Sequence, residues 1–232
     1  MEWFSAWYSD IAKTFYKCFI REDRYLLLWN GIGITIKVSL LAAAFGLIIG
    51  FVIALCNLSK RRSLNVAGKV YTDVIRGTPS VTQLMIIYFV VFATVNWEKW
   101  IIAAIAFGIN SGAYVSEIIR AGIMSVDKGQ TEAGRSLGLT SSMTMVSIII
   151  PQAVKNIFPA MCNEFITLIK ETAIVGYVGL VDIQKAGDFI KSTTYEAFMP
   201  LIGTAVVYFT MIKMLTMLFR RFERHLRRSD LR

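Results

Sequence analysis

Two long apolar segments restrict the folds that this chain can adopt. Residues 31–57 contain one charged side chain, Lys37, in 27 positions, and residues 77–97 contain none in 21 positions. A helix needs about 20 apolar residues to cross the hydrocarbon core of a bilayer. Buried strands of soluble α/β proteins are much shorter than these segments. The sequence therefore predicts an all-α integral membrane protein.

Five membrane-spanning helices are predicted, at residues 31–57, 69–95, 99–121, 155–181 and 199–220. They belong to a transmembrane domain of residues 29–222, which is followed by a basic tail of residues 223–232. Ahead of the domain, residues 1–28 form an amphipathic segment with aromatic side chains at helical spacing. Two arrangements remain open for this segment: it lies in the membrane interface, or it packs against the protein's own spans.

The distribution of positive charge predicts the orientation in the membrane. The chain carries 25 basic and 16 acidic side chains, and six of the basic ones lie in the last 13 positions. Basic residues also follow the first span, at positions 60–62, and lie between the third and fourth spans, at Lys128 and Arg135. The positive-inside rule places these three segments in the cytoplasm and the N-terminus outside. Because topology accounts for the charge, no nucleic-acid partner is expected.

Polar residues open the second span. Arg76, Gly77, Thr78 and Pro79 follow one another, and Gln83 lies one helical turn beyond Pro79. A Gly-x-Pro break frees backbone groups, and broken helices of this kind line aqueous cavities in transporters. These five residues are therefore candidate pathway residues. The alternative is a proline kink with Arg76 reaching to the membrane interface.

Polar and acidic residues also lie within the third and fourth spans. Asn110, Tyr114 and Glu117 share one face of the third span, and Glu117 is spaced to pair with Arg120. Glu164 lies in an otherwise apolar turn of the fourth span. A carboxylate facing lipid is costly, so Glu164 is expected to face a protein interior or an aqueous cavity. The alternatives are a helix end at the membrane interface for the third span and a structural hydrogen bond for Glu164.

The sequence contains no motif for catalysis or cofactor binding. The patterns GxxxxGK[ST] and HExxH are absent, and the one match to GxSxG, at residues 134–138, lies at the end of a predicted short helix and not at a strand-to-helix turn. The three cysteines have no metal-binding spacing, and the single histidine, His225, lies in the basic tail. Neither enzymatic activity nor a cofactor is expected in this chain.

The polar stretch GQTEAGRSLGLTSSMTM lies between the third and fourth spans. A short helix is predicted over residues 127–137, and Gly138 is placed to end it. Thr140 or Ser141 then caps a second helix, which Pro151 interrupts. The stretch is too polar to enter the bilayer, so it is expected to form a helix, a glycine turn and a second helix in the cytoplasm.

This stretch resembles the EAA loop of the membrane subunits of ATP-binding-cassette importers. The family pattern is Glu-Ala-Ala, three residues, Gly, nine residues, Ile, one residue and Leu-Pro. Residues 132–134 read Glu-Ala-Gly, and Gly138, Ile148 and the Ile-Pro pair at 150–151 complete the spacing, with Gly for the third Ala and Ile for Leu. The segments IRGTPSVTQLMIIYF, SGAYVSEIIRAGIMSVDKGQTEAG and NEFITLIKETAIVG resemble the polar amino acid uptake subfamily.

The resemblance implies the permease subunit of a type I importer in a bacterial cell membrane. It implies a second permease subunit, two ATPase subunits that bind ATP and Mg²⁺ in the cytoplasm, a separate substrate-binding protein and contact with membrane lipid. In this family the EAA loop, here residues 127–151, couples the permease to the ATPase. The matching coupling residues are Glu132, Ala133, Gly134, Arg135, Ser136, Gly138 and Leu139. The small residues at 133, 134 and 136 are expected to allow close approach to that partner, and Glu132 to offer it a carboxylate.

An amino acid substrate needs an anion site and a cation site. Arg76 and the backbone of Gly77 and Thr78 are candidates for binding the carboxylate, and Glu164 is the candidate for an amino group or a basic side chain. The expected substrate is a cationic amino acid, namely arginine, lysine or histidine. The alternatives are another small amino-acid-like solute, or a stand-alone channel or scaffold in place of an importer subunit.

Overall fold

The computed structural model describes the backbone of residues 2–227 and the side chains of residue 7 and of residues 9–224. The α-helices are α1 (Glu2–Phe15), α2 (Tyr25–Leu58), α3 (Arg62–Arg76), α4 (Ser80–Ile86), α5 (Lys99–Met124), α6 (Lys128–Ser136), α7 (Ser141–Thr144), α8 (Ile150–Glu171), α9 (Ile183–Thr194) and α10 (Phe198–Arg227). Short π-helical or 3₁₀ segments adjoin them at Tyr16–Ile20, Arg21–Asp23, Ile87–Val91, Met145–Ile149 and Thr172–Val178. The described residues contain no strand, which confirms the all-α class.

The described helices supply four or five membrane spans. Four helical runs are long and apolar enough to cross a membrane, namely Tyr25–Leu58, Lys99–Met124, Ser141–Val178 and Phe198–Arg224. A fifth span results if the bent pair Arg62–Arg76 and Ser80–Val91 crosses the membrane as one unit. This agrees with the five predicted spans. The basic tail begins inside α10, and its residues 228–232 lie outside the described residues.

The second predicted span, residues 69–95, is not one continuous helix. It divides at Pro79 into α3 and α4, whose axes differ by 103°. Proline lacks an N–H and its ring clashes with the preceding turn, so backbone groups are freed there. The side chain of Gln83 satisfies one of them by donating to the Ile75 carbonyl at 2.7 Å, and Asn110 Nδ2 donates to Gln83 Oε1 at 2.9 Å. The predicted break is therefore present within the second predicted span.

The interruption predicted at Pro151 is a distortion of the helix and not its end. Residues Met145–Ile149 form a π-helical segment, and α8 begins at Ile150 with Pro151 in its first turn. A proline is tolerated in the first turn because its missing N–H needs no partner there. The prediction that the helix stops at Pro151 was wrong. As a result, the polar stretch passes through helical backbone directly into the fourth span.

Helices α2 and α5 form the centre of the bundle, and glycines set their separation. Small buried side chains line both helices where they meet. A side chain at Gly50 would overlap Val115, and one at Gly46 would lie 3.1 Å from Ser111. Close approach through small residues is typical of membrane helices, because lipid provides no hydrophobic drive for their association. The polar residues of α5 are therefore held in fixed positions inside the bundle.

The segment before the first span is divided between two environments. Cys18 and Phe19 are buried against α9 and α10, where a side chain at Gly203 would overlap the Phe19 ring. By contrast, Trp7 is 54% exposed and Phe15 is 48% exposed on α1. Packing against the protein thus holds for Cys18 and Phe19, whereas Tyr16 and Ile20 are exposed and the interfacial position of α1 stays a prediction.

Candidate functional site

A cavity of about 850 Å³ opens between α3, α5 and α8. The arrangement follows from the bend after α3, which brings the end of that helix beside the polar face of α5. Four predicted pathway residues line the cavity, namely Arg76, Tyr114, Glu117 and Glu164. Asn156 and Asn163 on α8 also line it, and neither was predicted as a site residue. Both lie on α8 with Glu164, and an asparagine within a predicted span is the sequence signal that could have identified them.

Arg76 is already engaged at one side of this cavity. Its Nη1 lies 3.8 Å from Glu117 Oε2, and its guanidinium carbon lies 5.4 Å from the centre of the Tyr114 ring. Arg120 binds the same carboxylate more closely, with Nη2 at 2.9 Å and Nε at 3.1 Å from its two oxygens. The predicted pairing of Glu117 and Arg120 is therefore present. Glu117 is shared by two guanidinium groups, which leaves Arg76 with the weaker contact.

Glu164 has different surroundings in the same cavity. Its Oε1 accepts a hydrogen bond from Ser111 Oγ at 2.7 Å. Among the residues whose side chains are described, none forms an ion pair with Glu164. The carboxylate lies partly buried in a membrane-spanning helix, where a charge without a partner is unfavourable. The cavity therefore presents an acidic group that can accept a cation.

The other predicted pathway residues do not line this cavity. Gly77 and Pro79 form the break, and Thr78 Oγ1 donates to the Val74 carbonyl at 2.9 Å. Gln83 and Asn110 are buried and bonded to each other behind the break. Their contacts hold the bent span together, and the structure does not bring them to Glu164.

The polar stretch between the third and fourth spans has the predicted helix–turn–helix form. The Asp127 side chain accepts from the Gly129 N–H at the start of α6, and Thr140 accepts from the Met143 N–H at the start of α7. Between the two helices Gly138 has a φ of 83°, in the left-handed region that favours glycine. Capping at both sides of the glycine makes this a short, defined element.

The predicted coupling residues divide into exposed and internal positions. Glu132, Ala133, Arg135, Ser136 and Gly138 are exposed, and Leu139 is partly buried. Arg135 Nη1 donates to the Leu139 carbonyl at 2.8 Å, which closes the turn. Gly134 is buried, and a side chain there would lie 2.8 Å from Thr144. Its small size serves contact between α6 and α7 within the chain, so the expectation of close approach to a partner does not hold for Gly134.

Leu137 is an exposed apolar residue that the sequence did not single out. It lies just before Gly138 and is 82% exposed. A single exposed apolar side chain is common on protein surfaces, so Leu137 draws interest only from its position within the EAA-like stretch. The signal in the sequence was a leucine directly before the helix-ending glycine, where solvent exposure would favour a polar residue.

Comparisons with known proteins agree with this architecture. Residues 46–228 match the family of binding-protein-dependent transport system inner membrane components. The chain is 42% identical over 207 residues to the putative glutamine transport system permease protein GlnP of Rickettsia bellii, which covers 88% of this chain and 95% of that one. It is also 42% identical over 203 residues to the arginine transport system permease protein ArtQ of Bacillus subtilis. That alignment covers 87% of this chain and 93% of ArtQ.

Solved structures show the same fold. A chain in the crystal structure of an amino acid ABC transporter with histidines superposes with a TM-score of 0.82 at 43% identity, covering 89% of this chain and 98% of that one. A chain of the MetNI methionine ABC transporter, at 18% identity, has a TM-score of 0.74 and shows the fold alone.

The helical bundle and the family match define the chain as an inner-membrane component of a binding-protein-dependent transport system. Within that class, it belongs to the permease subunits of amino acid ATP-binding-cassette transporters. Membership implies a complex with ATPase and binding-protein partners. This chain is accordingly the transport subunit, without an ATPase domain of its own.

Proposed function

We propose that this permease imports a cationic amino acid, and that two permease subunits enclose the translocation pathway. The observation that carries the proposal is Glu164, a carboxylate in the cavity without an ion-pair partner among the described side chains. A cationic group of the substrate supplies the missing counter-charge. A partly buried carboxylate attracts a cation more strongly than a fully exposed one does, because the effective dielectric constant around it is lower.

Arg76 contributes a site for the substrate carboxylate. Its contact with Glu117 is long, at 3.8 Å, and Glu117 keeps Arg120 as a partner when Arg76 turns away. A substrate carboxylate therefore replaces Glu117 at Arg76 at little cost. Arg76 and Glu164 line one cavity, so a single amino acid has an anion site and a cation site there.

The names of similar proteins support this range of substrates. The relative from Bacillus subtilis is named as an arginine permease, and the similar solved amino acid transporter was crystallised with histidines. Relatives from Rickettsia are named as putative glutamine permeases. We propose that Glu164 pairs with the substrate side chain and not with its α-amino group, which favours cationic substrates over glutamine because glutamine has no side-chain charge.

The exposed stretch around Gly138 is proposed to couple the permease to the ATPase. Glu132 and Leu137 are exposed on it, and together they offer a carboxylate and an apolar side chain to a partner. ATP and Mg²⁺ are bound by the ATPase subunits, and their closure is transmitted through α6 and α7 to the spans. The proposal includes a cytoplasmic position for this segment and the C-terminus, with the N-terminus outside, and the basic residues Lys128 and Arg135 support it.

The test is ATP hydrolysis by the complete reconstituted complex in the presence of each standard amino acid. Arginine, lysine and histidine are expected to stimulate hydrolysis, and acidic and apolar amino acids are not. Stimulation by glutamine alone would overturn the cationic assignment and leave an amino acid permease. Substrate flux through the permease without ATPase subunits would overturn the importer role itself.

A further inference from the structure

Residues 109–111 of α5 form hydrogen bonds with three other helices. The backbone carbonyl of Ile109 accepts from α3, the side-chain amide of Asn110 donates to α4, and the hydroxyl of Ser111 donates to α8. Neighbouring residues of a helix point about 100° apart, so one short stretch can reach helices on different sides. Asn110 and Ser111 are buried and are not among the residues that line the acidic cavity, so they affect the site only through the residues that they bind.

Two of these bonds hold the end of α3, where Arg76 lies. The hydroxyl of Tyr71, five residues before Arg76, donates to the α5 backbone at 2.5 Å. Gln83 Nε2 donates to the Ile75 carbonyl at 2.7 Å, directly before Arg76, and Asn110 Nδ2 donates to Gln83 Oε1 at 2.9 Å. The backbone that carries Arg76 is therefore tied to α5 at two points.

The third bond holds the carboxylate of Glu164. Ser111 Oγ donates to Glu164 Oε1 at 2.7 Å. On its other side Ser111 lies against Gly46 of α2, where a side chain would be 3.1 Å from both Ser111 Cβ and Ser111 Oγ. The Ser111 hydroxyl is therefore confined between α2 and the carboxylate that it binds.

Glycines on either side of residues 109–111 hold this stretch close to α2. A side chain at Gly108 would overlap Phe45, and one at Gly112 would overlap Ile49. Close-packed interiors have low compressibility and transmit displacements between their parts. A firmly packed stretch of α5 therefore connects the group that carries Arg76 with the carboxylate of Glu164.

We propose that residues 109–111 set the separation between Arg76 and Glu164, and thereby determine which length of cationic side chain binds best. The inference rests on the proposed function, because it takes Arg76 as the site for the substrate carboxylate and Glu164 as the site for the side-chain cation. These two groups lie on different helices, and each helix is bonded to the same short stretch of α5. A substrate that pairs with both groups must span the distance that this stretch maintains.

Affinity for a series of diamino acids measures this separation. Diaminobutyrate, ornithine, lysine and homolysine carry the same charged groups and differ by one methylene at each step. The permease–ATPase complex is titrated with each by isothermal calorimetry, without the binding protein, which would bind the same ligands. The wild type is expected to bind one length about tenfold more tightly than its neighbours, the effect of one methylene. Equal Kd values of the wild type across the series would overturn the proposal.

Two variants remove single hydroxyl groups that bind residues 109–111 or belong to them. Ser111→Ala frees the carboxylate of Glu164, and Tyr71→Phe frees the end of α3. Each is expected to reduce the preference for the best length to about twofold, because a charge that can shift accommodates more than one length. Ser116→Ala is the matched control, since the Ser116 hydroxyl is also buried on α5 but donates to a carbonyl of its own helix at 2.8 Å. It is expected to keep the wild-type preference.

A purely structural role of these hydroxyl groups gives a different result. A variant that is only less stable has a lower Tm and keeps the relative affinities of the wild type. Unchanged relative affinities in both Ser111→Ala and Tyr71→Phe would therefore overturn the proposal.

Glu164→Gln, measured in parallel, separates this inference from the proposed function. It is expected to weaken binding of every diamino acid in the series by about tenfold, through loss of a charge-assisted interaction. If it does so while both hydroxyl variants keep the wild-type preference, the cation site stands and only the inference fails. If Glu164→Gln leaves every Kd unchanged, the cation site and the inference fail together.

Discussion

Ser111 donates a hydrogen bond to Glu164, with 2.7 Å between Ser111 Oγ and Glu164 Oε1. The bond joins α5 to α8 at the cavity and fixes one carboxylate oxygen, while the other remains available. Glu117, the other carboxylate in the cavity, is instead bound by Arg120 and approached by Arg76. Two acids in one cavity therefore have different partners: Glu117 pairs with the arginines, and Glu164 is the proposed site for a cation.

Reversing the charge of Glu132 is expected to uncouple ATP hydrolysis from transport. Glu132 is exposed on α6, so Glu132→Arg leaves the permease fold intact. Placing like charges at an interface costs several kcal/mol, so substrate-stimulated hydrolysis should fall by at least about tenfold. Glu132→Gln should show a smaller loss of substrate-stimulated hydrolysis. Asp10→Arg, which reverses an exposed charge on α1, should show no loss. Normal uptake by Glu132→Arg in proteoliposomes would show that the loop is not the coupling element.

The backbone at Gly138 provides a graded test of the same element. Its φ of 83° disfavours side chains, although a Cβ would meet nothing within 4 Å. Gly138→Val is expected to distort the turn, because a β-branched residue is a genuine outlier at positive φ. Asn tolerates this region, so Gly138→Asn should retain coupling. The measurement is ATPase co-purification with each variant, and equal recovery with Val and Asn would contradict the role of the turn.

Packing between α2 and α5 predicts a specific loss of stability. A side chain at Gly50 would overlap Val115, which is buried on α5. Overpacking of this kind typically costs about 1–3 kcal/mol, or a fall of several degrees in Tm for a chain of this size. Gly33→Ala, the same change on the same helix in open space, should not lower Tm. Equal melting temperatures for Gly50→Ala and Gly33→Ala would refute the close packing of these helices.

Asp182, between the fourth and fifth spans, predicts a pH dependence. It is fully buried, and burial raises the pKa of its carboxyl group, although hydrogen bonds from the Lys185 and Gln184 N–H groups and the Tyr208 hydroxyl oppose that rise. The folded state therefore holds this proton more tightly than the unfolded state. The resulting stability is present below about pH 4, the ordinary Asp value, and is lost as pH rises through the raised pKa.

The difference in Tm between wild type and Asp182→Asn isolates this effect from other titrating groups. Because Asn does not titrate, the Tm of the wild type should be raised relative to that of the variant at about pH 4. This advantage should disappear as pH rises toward neutrality. The variant keeps one accepting side-chain oxygen and loses the other, so it gives up part of the hydrogen bonding at the start of α9, which lowers its Tm at every pH without adding a slope. A difference that stays constant with pH would contradict the raised pKa.

The sequence indicated most of the elements but few of their long-range contacts. Apolar length identified the spans, and the residues around Gly138 identified the helix turn, because both signals are local. The 103° bend after Arg76 was not predictable, since proline shows where backbone groups are freed but not what satisfies them. That partner is Gln83, itself held by Asn110 from another helix.

In the candidate site, too, the sequence predicted individual residues but not the contacts between distant segments. Glu164 was predicted because an acid within a span is costly wherever it faces. The partner of Arg76 was not predicted, because its contact with Glu117 depends on the angle between α3 and α5. Gly134 likewise suited contact with another subunit, whereas folding places Thr144 of the same chain against it.

Lysine uptake by proteoliposomes containing the complete complex tests the role of Glu164 most directly. Glu164→Gln removes the charge and keeps an oxygen that can accept from Ser111, so the cavity should retain its shape. The account predicts that lysine uptake falls by at least about tenfold, the effect of losing a charge-assisted interaction of about 1.5–3 kcal/mol, while assembly with the ATPase is unchanged. Lysine uptake equal to that of the wild type would show that Glu164 is structural and that the cation site lies elsewhere.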